Sequence, residues 1–179
     1  EDGIRDIGVT GVQTCALPIS DVYITAMASM LAQIHRVPLS GDLEQLPRTK
    51  PTHQRREVLN SDLRESEVIS KLDDLGPRNL EQIGLRHGDF WPGNLIWQGS
   101  TLVGVIDWEN ALLGPAIADL AISRLDIAWC LGFEAMADFT ARYLAQHPID
   151  TCDLAYWDLR ISLRSMSNLA DWAEPYASL

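Results

Sequence analysis

The sequence predicts an α+β fold that is mainly helical and contains one β-hairpin near its centre. Apolar residues recur at every third or fourth position on both sides of the centre, which is the period of an amphipathic helix. At the centre, residues 95–97 and 102–106 form two short apolar runs, and Gln98-Gly99-Ser100 lies between them. A glycine there permits the positive φ of a tight hairpin turn. The 179 residues are enough for one domain with a sizeable core.

The composition narrows the classes of partner. Hydrophobic residues make up 46% and charged residues 22% of the chain, as in an ordinary globular domain. A net charge of −11 argues against a nucleic-acid-binding surface and suits cationic partners. Cys15, Cys130 and Cys152 have no metal-binding spacing and no disulfide framework, which indicates a reducing cytoplasm. The sequence shows no run of eighteen apolar residues and no signal peptide, so we expect no membrane span.

The first nineteen residues, EDGIRDIGVTGVQTCALPI, resemble the in-frame translation of a short-read sequencing adaptor. EDGIRD matches the primer end of such an adaptor, and VTGVQTCALPI matches its read-primer segment. We therefore interpret residues 1–19 as a non-native leader fused to a gene fragment. The alternative is a native N-terminus that is rich in loops.

An amphipathic helix is predicted directly after this leader. Ser20-Asp21 is a typical N-cap, and Pro38 ends the helical pattern. The apolar positions of the helix recur at spacings of three and four, and they are Tyr23, Met27, Met30, Leu31 and Ile34. Residues 37–52 are rich in proline and are predicted to form a connecting loop.

The stretch from Thr52 to Leu75 is helical in its pattern but strongly charged. Its charge run is most simply a solvated helix face. Asn60-Ser61-Asp62 is a candidate break that would divide the stretch into two helices, and Gly76-Pro77 ends the pattern.

The side chains that carry chemistry cluster between Arg86 and Glu109. Asp89 follows His87 by two positions, Asn94 follows Asp89 by five, and Asp107 ends the second apolar run. A carboxylate beside an incoming hydroxyl can orient it and accept its proton. A carboxamide and a second carboxylate supply the hard oxygen ligands that suit Mg²⁺ against phosphate oxygens. The arrangement fits phosphoryl transfer, which requires mainly positioning and charge neutralisation from a protein.

Three helices are predicted after the hairpin. Gly114-Pro115 starts the first, in which proline occupies a tolerated first position. Residues 133–144 supply the apolar positions of the second, which His147-Pro148 ends. Asp150-Thr151 is a typical cap for the third, whose apolar positions continue to Trp172.

Several segments resemble one known family. His87-Gly88-Asp89, with Asn94 five residues after Asp89, has the spacing of the kinase catalytic loop, with glycine where protein kinases have arginine. This loop followed by Ile106-Asp107-Trp108-Glu109 resembles the aminoglycoside phosphotransferase family, which includes choline-kinase-like and other small-molecule kinases. GPAIADLA at residues 114–121 is similar to the next motif of that family. LAQIHRVP at residues 31–38 is similar to its Leu-x-x-Leu-His-x-x-Pro element.

The resemblance implies a role for each residue of these motifs. It makes Asp89 the catalytic base, Asn94 and Asp107 the Mg²⁺ ligands, and Asp119 a structural acid that supports the loop. Glu109 is a candidate for the second coordination sphere of the metal. His87 is interpreted as a buried hydrogen-bonding support in preference to a general base.

These residues also have plainer interpretations. Asp89 and Asn94 are both typical of turns, and Asp107 and Glu109 are typical of solvated positions after a strand. Asp119 falls in the first turn of a helix, where a carboxylate interacts favourably with the helix dipole whatever else it does. Other side chains are more typical of a structural role than of ligand contact, namely His35, Trp91, Trp97 and Trp108.

The resemblance further implies a two-lobed, protein-kinase-like fold, of which residues 20–179 form the C-terminal lobe with the catalytic loop at residues 86–109. The N-terminal lobe of such a kinase carries a glycine-rich loop and a lysine that pairs the ATP phosphates. No Gly-x-Gly-x-x-Gly occurs here, and Lys50 and Lys71 lie in a proline-rich loop and a charged helix. We therefore expect the N-terminal ATP-binding lobe to be absent and the chain to be inactive alone. Whether the C-terminus is complete stays open.

These expectations converge on a small-molecule kinase that uses Mg²⁺ and ATP or GTP to phosphorylate a hydroxyl of an aminoglycoside-like or amino-alcohol acceptor. The acidic charge suits a cationic acceptor, for which Asp126, Asp171 and Glu174 are candidate contacts or simply solvated side chains. Two other classes stay open. One is a non-catalytic binding domain on the kinase-like fold, and the other is a metal-dependent phosphohydrolase that uses the same oxygens but lacks a second carboxylate cluster. The oligomeric state is not predicted.

Overall fold

A computed structural model describes residues 21–50, 57–76, 80 and 83–166 of the chain. The helices in this part of the chain are α1 (Asp21–His35), α2 (Glu65–Leu75), α3 (Ala116–Leu131), α4 (Phe133–Gln146) and α5 (Leu154–Met166). The strands are β1 (Gly84–Arg86), β2 (Leu95–Gln98), β3 (Thr101–Val105) and β4 (Leu112–Gly114). Short 3₁₀ helices cover Gly41–Gln45, Pro92–Asn94 and Trp108–Asn110. The predicted fold class, mainly helical α+β, is confirmed.

Helix α3 is the central element of the helical part. It packs against both α4 and α5, while α1 packs on α4 and α2 packs on α5. Leu120 and Ile127 of α3 belong to the apolar cluster shared with α1 and α4, whereas Ile117 and Ala121 belong to the cluster shared with α2 and α5. A helix that is covered on opposite sides is apolar around most of its circumference. Polar residues buried on α3 therefore require a specific explanation.

The predicted hairpin is present and lies beside the candidate catalytic loop. Strands β2 and β3 pair antiparallel from Leu95↔Val105 to Gln98↔Thr101, with a register shift between Ile96 and Trp97. Gly99 in the connecting turn has a φ of 60°, which an L-residue with a side chain adopts only at a cost. The strand ends differ from the predicted ones by a single residue at each affected end.

A second pair of strands was not predicted from the sequence. Strand β1 pairs antiparallel with β4 from Gly84↔Gly114 to Arg86↔Leu112, and Arg48 adds a parallel bridge to Leu113. Each of these strands has three residues, which is too short for an alternating pattern to be recognised. This pair connects the start of the catalytic loop to the start of α3.

The predicted start of α3 was wrong by two residues. Gly114 lies in β4, Pro115 is the N-cap, and the helix begins at Ala116. A Cβ atom at Gly114 would lie 2.0 Å from Thr49 Oγ1. The glycine therefore serves the close approach of a neighbouring segment in the small sheet, and the helix starts after it.

The helix predicted from Thr52 to Leu75 is wrong over residues 57–64 and confirmed over Glu65–Leu75. Residues 57–64 form bends and turns, and α2 begins at Glu65. The break predicted at Asn60 is confirmed, because its Oδ1 accepts a hydrogen bond from Leu63 N (3.1 Å) and its N–H donates to Glu65 Oε2 (2.7 Å). An asparagine that bonds the local backbone in this way competes with helix formation. The earlier part of that prediction, residues 52–56, lies outside the described residues.

The remaining helices agree with the predicted pattern. Helix α1 buries Met27, Leu31 and Ile34, as its spacing predicts. Helix α5 buries Trp157 and Ile161, and its predicted continuation to Trp172 lies outside the described residues. No helix in the described ranges combines the length and apolar character needed to cross a membrane.

Candidate active site

The catalytic candidates begin in the loop of residues 87–94, which is the first part of the predicted range 86–109. This loop runs from the end of β1 to the start of β2. It turns sharply at Gly88, whose φ is 83°. A Cβ atom at Gly88 would lie 2.2 Å from the backbone oxygen of Asn110, so the loop and the 3₁₀ helix after Asp107 approach each other too closely for any side chain. This contact gives a physical reason for glycine at the position where protein kinases have arginine.

Asp119 anchors the start of this loop from the first turn of α3. Its carboxylate accepts hydrogen bonds from the backbone N–H of His87 (2.8 Å) and of Gly88 (3.0 Å). It also accepts from Arg86 Nε (3.3 Å) and lies 3.3 Å from His35 Nε2. Asp119 is fully buried. Burial alone would raise the pKa of Asp119, but the charge of Arg86 and the bonds from His35 and His87 outweigh it and hold that pKa well below its usual range.

His35 belongs to the same buried network and is therefore a structural residue. Its Nδ1 lies 2.7 Å from the hydroxyl of Tyr143, and its Nε2 faces Asp119. Burial and the charge of Asp119 raise the pKa of Tyr143 above its ordinary value. The phenol therefore keeps its proton, and its O–H donates a hydrogen bond to Nδ1 of His35. The predicted structural interpretation of His35 agrees with these contacts.

His87 is completely buried, and its hydrogen bonds define its tautomer. The backbone N–H of Asp89 donates to Nδ1 at 3.2 Å, so Nδ1 carries no hydrogen. Nε2 lies 2.9 Å from the carbonyl oxygen of Ile106, which can only accept, so the hydrogen is on Nε2. Both nitrogens of this neutral imidazole are engaged within the protein, which leaves no nitrogen to accept a proton from a substrate.

Asp89 is a partly exposed residue of the loop, with 23% of its side chain accessible. Its Oδ1 accepts a hydrogen bond of 2.7 Å from Arg164 Nη2 on α5. Its Oδ2 lies 3.3 Å from Asn94 Nδ2, which also donates to the Asp89 backbone oxygen at 2.9 Å. The sequence did not reveal Arg164, because it lies 75 residues away on a helix and belongs to none of the recognised motifs.

Asn94 and Asp107 are brought together through the backbone of Ile106. The N–H of Ile106 donates to the Asn94 backbone oxygen at 3.0 Å, and its carbonyl oxygen accepts from His87. Asp107 follows with a left-handed backbone, φ 64° and ψ 55°, which is rare and strained for a residue with a side chain. Its carboxylate and that of Glu109 are exposed. The backbone hydrogen bond between Ile106 and Asn94 therefore joins two segments that are distant in the sequence.

The donor set of these residues fits a magnesium ion. Both contacts of the Asn94 amide nitrogen go to Asp89, and no hydrogen bond from the described residues reaches Oδ1 of Asn94. Asp107 supplies an exposed carboxylate. An amide oxygen and a carboxylate are hard ligands of the kind that Mg²⁺ prefers, so Asn94 and Asp107 are the residues that could hold such an ion. The structure describes no group of three or more His, Cys, Asp and Glu side chains that could hold a metal within residues 21–50, 57–76, 80 and 83–166.

The tryptophans around the loop have packing contacts. The Trp97 ring meets Tyr23 edge to face at a centroid distance of 4.6 Å, and Trp108 lies 4.6 Å from the His87 ring. A Cβ atom at Gly93 would lie 2.3 Å from the ring of Trp91, which therefore lies directly over that glycine. These contacts favour the predicted packing role over substrate stacking.

Only part of the predicted acceptor surface is described. Asp126 on α3 is 5% exposed, so the interpretation of this residue as simply solvated is wrong. Burial raises the pKa of Asp126 to about 7, with the charge of Arg164 opposing the shift and that of Asp89 adding to it. Asp171 and Glu174 lie outside the described residues. A shallow groove of about 310 Å³ between α2 and α5, lined by Leu63 and Leu159 among others, contains none of the site residues.

The fold is that of kinase-like phosphotransferases. A macrolide 2'-phosphotransferase of type I matches with a TM-score of 0.63 and 23% identity, over 88% of this chain and 55% of that one. An amicoumacin kinase in complex with AMP-PNP, Ca²⁺ and its substrate matches with a TM-score of 0.54 and 16% identity, over 81% and 49%. A choline kinase from Streptococcus pneumoniae matches with a TM-score of 0.53 and 20% identity, over 83% and 56%. The chain thus spans about half the length of the solved structures that it resembles.

The sequence identifies the family. The model of the phosphotransferase enzyme family matches residues 11–158, and the chain belongs to this family. The match begins inside the segment that we interpret as a leader, and residues 1–20 lie outside the described residues. No curated protein sequence matches the chain at a significant level. The predicted resemblance to aminoglycoside phosphotransferases and choline-kinase-like enzymes is confirmed.

Proposed function

We propose that the full-length protein transfers the γ-phosphoryl group of ATP or GTP to a hydroxyl of a small molecule. The observation that carries this proposal is the arrangement of the loop: Asp89 contacts Asn94 directly, and the backbone oxygen of Asn94 accepts a hydrogen bond from the N–H of Ile106, the residue before Asp107. Membership of the phosphotransferase enzyme family supports it. Nucleotide analogue and Ca²⁺ in the related amicoumacin kinase support a nucleotide donor and a divalent cation.

In this proposal Asp89 orients the acceptor hydroxyl and accepts its proton as the new oxygen–phosphorus bond forms. The bond between the γ-phosphorus and the bridging oxygen breaks, and the nucleoside diphosphate leaves with the electron pair. Asn94 and Asp107 would hold Mg²⁺, which when bound neutralises charge on the phosphate oxygens. Asp119 and His87 carry no part of the reaction and keep the loop in shape through the contacts described above.

We propose a cationic acceptor of the aminoglycoside or amino-alcohol type. The net charge of −11 favours the approach of a cation. Asp126, Asp171 and Glu174 remain candidate contacts, and the charges of Arg164 and Asp89 act on the carboxyl of Asp126. The solved structures of similar fold include a choline kinase and an aminoglycoside-3'-phosphotransferase.

We further propose that residues 20–179 form the C-terminal lobe and that a nucleotide-covering lobe accompanies it in what is here called the lobe-complete protein. Such a lobe supplies the loop and the lysine that orient the phosphates. The 179-residue chain should therefore phosphorylate no acceptor at a useful rate, because positioning contributes about 7–11 kcal/mol of the barrier reduction in such reactions. Titration with Mg-ATP and a radiolabelled transfer assay would test this expectation, and micromolar ATP binding with acceptor labelling would contradict it.

The function itself is tested by Asp89→Asn in the lobe-complete protein. Turnover should decrease by at least about 10²-fold, the lower end for loss of a positioned proton acceptor. Asp138→Asn is a matched control, since Asp138 also pairs with an arginine, Arg142, but lies on the surface of α4. The control should keep normal turnover. Near-normal turnover in Asp89→Asn would remove Asp89 from the proposed role.

Analysis of the products separates the remaining classes. Phosphorylated acceptor supports the kinase, free phosphate without acceptor labelling supports a phosphohydrolase, and Mg²⁺-dependent binding without either product supports a binding domain. The described residues offer no group of three carboxylate, imidazole or thiolate ligands. A two-metal hydrolase mechanism therefore has no support in this part of the chain.

A further inference from the structure

We propose that Arg164 is a positioning residue that fixes the orientation of the Asp89 carboxylate for the transfer reaction, an inference that rests on the function proposed above. Arg164 belongs to α5 and to none of the recognised motifs. It acts through Asp89 and is not assigned a contact with the substrate. The argument depends on its contacts, on the rigidity of its helix and on the geometry that a reacting carboxylate needs.

The two oxygens of Asp89 receive donors from different parts of the fold. Arg164 Nη2 donates to Oδ1 at 2.7 Å, which is short for a charge-assisted bond. Asn94 Nδ2 approaches Oδ2 at 3.3 Å, a much weaker contact. Arg164 Nη1 also lies 3.4 Å from the backbone oxygen of Gly88, so the guanidinium contacts the loop at adjacent residues. The carboxylate is thereby held firmly at Oδ1, while Oδ2 keeps capacity for an acceptor hydroxyl.

Helix α5 is a rigid carrier for this arginine. Leu163, the neighbour of Arg164, is 8% exposed, and Trp157 and Ile161 lie in the cluster packed on α3. Side chains on well-packed helices hold a reacting group more narrowly than side chains on loops.

An exposed loop carboxylate without such a partner would rotate freely about its side-chain torsions. Phosphoryl transfer depends mainly on positioning, and a misplacement of about 1 Å can cost about 10²-fold in rate. Arg164 restricts Asp89 to one orientation before the substrate arrives. Removing it should therefore lower turnover while leaving nucleotide affinity unchanged, because the proposed metal ligands Asn94 and Asp107 are untouched.

The first experiment compares Arg164→Met, Arg164→Lys and the control Arg124→Met in the lobe-complete protein. Arg124→Met removes the ion pair between Arg124 on α3 and Asp158 on α5, whose arginine is less exposed than Arg164, and Arg124 does not contact Asp89. We expect kcat to decrease about 10- to 100-fold in Arg164→Met with KM for Mg-ATP within about twofold. Arg164→Lys should recover part of the loss, and Arg124→Met should keep kcat within about twofold. An unchanged kcat in Arg164→Met, or equal losses in both methionine variants, would overturn the proposal.

A second experiment asks whether Arg164 acts through Asp89. Combining Arg164→Met with Asp89→Asn should lower kcat no further than Asp89→Asn alone, because residues that act as one unit are non-additive. Multiplicative losses would show an independent role for Arg164 and contradict the proposal. If Arg164→Met does not fold, Arg164→Gln carries the same comparison, since it keeps a polar side chain without the charge.

A third experiment does not require any activity. Three-bond NMR couplings of Asp89 in the lobe-complete protein report whether its first side-chain torsion occupies one rotamer. We expect one rotamer in the unchanged protein and averaging in Arg164→Met. Averaging in both proteins overturns the positioning role even if phosphotransfer is observed. A single rotamer that is lost in Arg164→Met supports it even if the transfer assay fails and the proposed function with it.

Discussion

Asp119 and Asp126 lie seven residues, or two helical turns, apart on α3, and both are buried, yet their surroundings are opposite. Asp119 receives hydrogen bonds from two backbone N–H groups and from Arg86, with His35 alongside. Asp126 accepts no hydrogen bond from any residue in the described ranges and has Arg164 and Asp89 as its charged neighbours. One helix thus carries a carboxylate that accepts several hydrogen bonds and another that accepts none from the described residues.

The electrostatic results follow from those surroundings. Burial raises the pKa at both positions, but the partners of Asp119 outweigh it, so the pKa of that carboxyl lies well below its usual range. At Asp126 burial dominates and raises the pKa to about 7. Buried polar groups that are satisfied stabilise and shape a protein, whereas a perturbed carboxyl beside reactive groups is a candidate functional residue. The contrast separates Asp119, which supports the loop, from Asp126, whose carboxyl is influenced by the charges of Asp89 and Arg164.

The largest effect on stability is expected from removing the carboxylate of Asp119. Asp119→Ala should lower the free energy of unfolding by about 3–5 kcal/mol, because it leaves Arg86 as a buried unpaired charge and frees two backbone donors. Asp158→Ala is the matched control, since it removes the partner of Arg124 at a position where the carboxylate is 35% exposed. The control should cost no more than about 1 kcal/mol. Urea unfolding at neutral pH measures both, and equal losses would contradict the anchoring role of Asp119.

The pH dependence of stability tests the protonation of Asp126 in the folded protein. The pKa of Asp126 is about 7 in the folded protein against an ordinary value of 3.8, so between these values the folded protein keeps a proton that the unfolded chain releases. The free energy of unfolding should therefore decrease as pH rises from about 4 to about 7, by an amount on the order of 4 kcal/mol.

Asp126→Asn should remove this decrease, since the amide stays neutral throughout the range. Asp119 contributes in a different window: its depressed pKa stabilises the fold at pH above the ordinary value of 3.8, and that stabilisation is lost below it. Thermal unfolding at intervals from pH 4 to pH 8 would compare the two proteins. Parallel pH profiles for the unchanged protein and Asp126→Asn would show that Asp126 is not protonated in the fold.

The close approach at the loop can be isolated with two glycines. Gly88 and Gly132 have similar φ values, 83° and 89°, but only Gly88 of the two would place its Cβ against another atom, at 2.2 Å. Gly132→Ala should cost about 1–3 kcal/mol for the positive-φ backbone alone. Gly88→Ala should cost a further 1–3 kcal/mol, roughly the range for overpacking. Denaturant midpoints compare the two, and equal costs would mean that the loop does not approach Asn110 as described.

The smallest effect is expected at Asp107, the proposed metal ligand. Asp107→Gly should weaken Mg²⁺-dependent nucleotide binding by the lobe-complete protein at least about tenfold, or about 1.4 kcal/mol. The same change should stabilise the fold by about 1 kcal/mol, because glycine adopts the left-handed backbone of Asp107 without strain. Asn94→Ala should weaken binding less, since a neutral amide contributes less charge. Unchanged Mg²⁺ dependence in Asp107→Gly would place the metal elsewhere.

The local features of the site were predictable because they depend on residues that are close in the sequence. The spacing of His87, Asp89 and Asn94 fits a single turn of the loop, and Gly99 marks the turn of the hairpin through its positive φ. The break at Asn60 was also predictable, because asparagine bonds its own neighbours. Each of these signals needs no knowledge of the rest of the chain.

The distant partners were not predictable in the same way. Arg164 reaches Asp89 from 75 residues away, and His35 reaches Asp119 from 84 residues away. Strands β1 and β4 have three residues each and are held by pairing with each other, so neither carries a pattern of its own. Residues 57–64 were wrongly predicted as part of a helix, because charged residues fit a helix wherever the tertiary structure permits one.

The sequence by itself determined the family, the helical class of the fold and the residue types of the candidate site, because motif spacing and apolar periodicity are properties of neighbouring residues. Only the tertiary structure decided which of the acids on α3 accepts hydrogen bonds from the described residues. A carboxylate has the same intrinsic chemistry at residues 119 and 126, and the donors that surround it come from elements far away in the chain. Desolvation and pairing are set by those elements, so the physical role of each acid emerges only when the chain is folded.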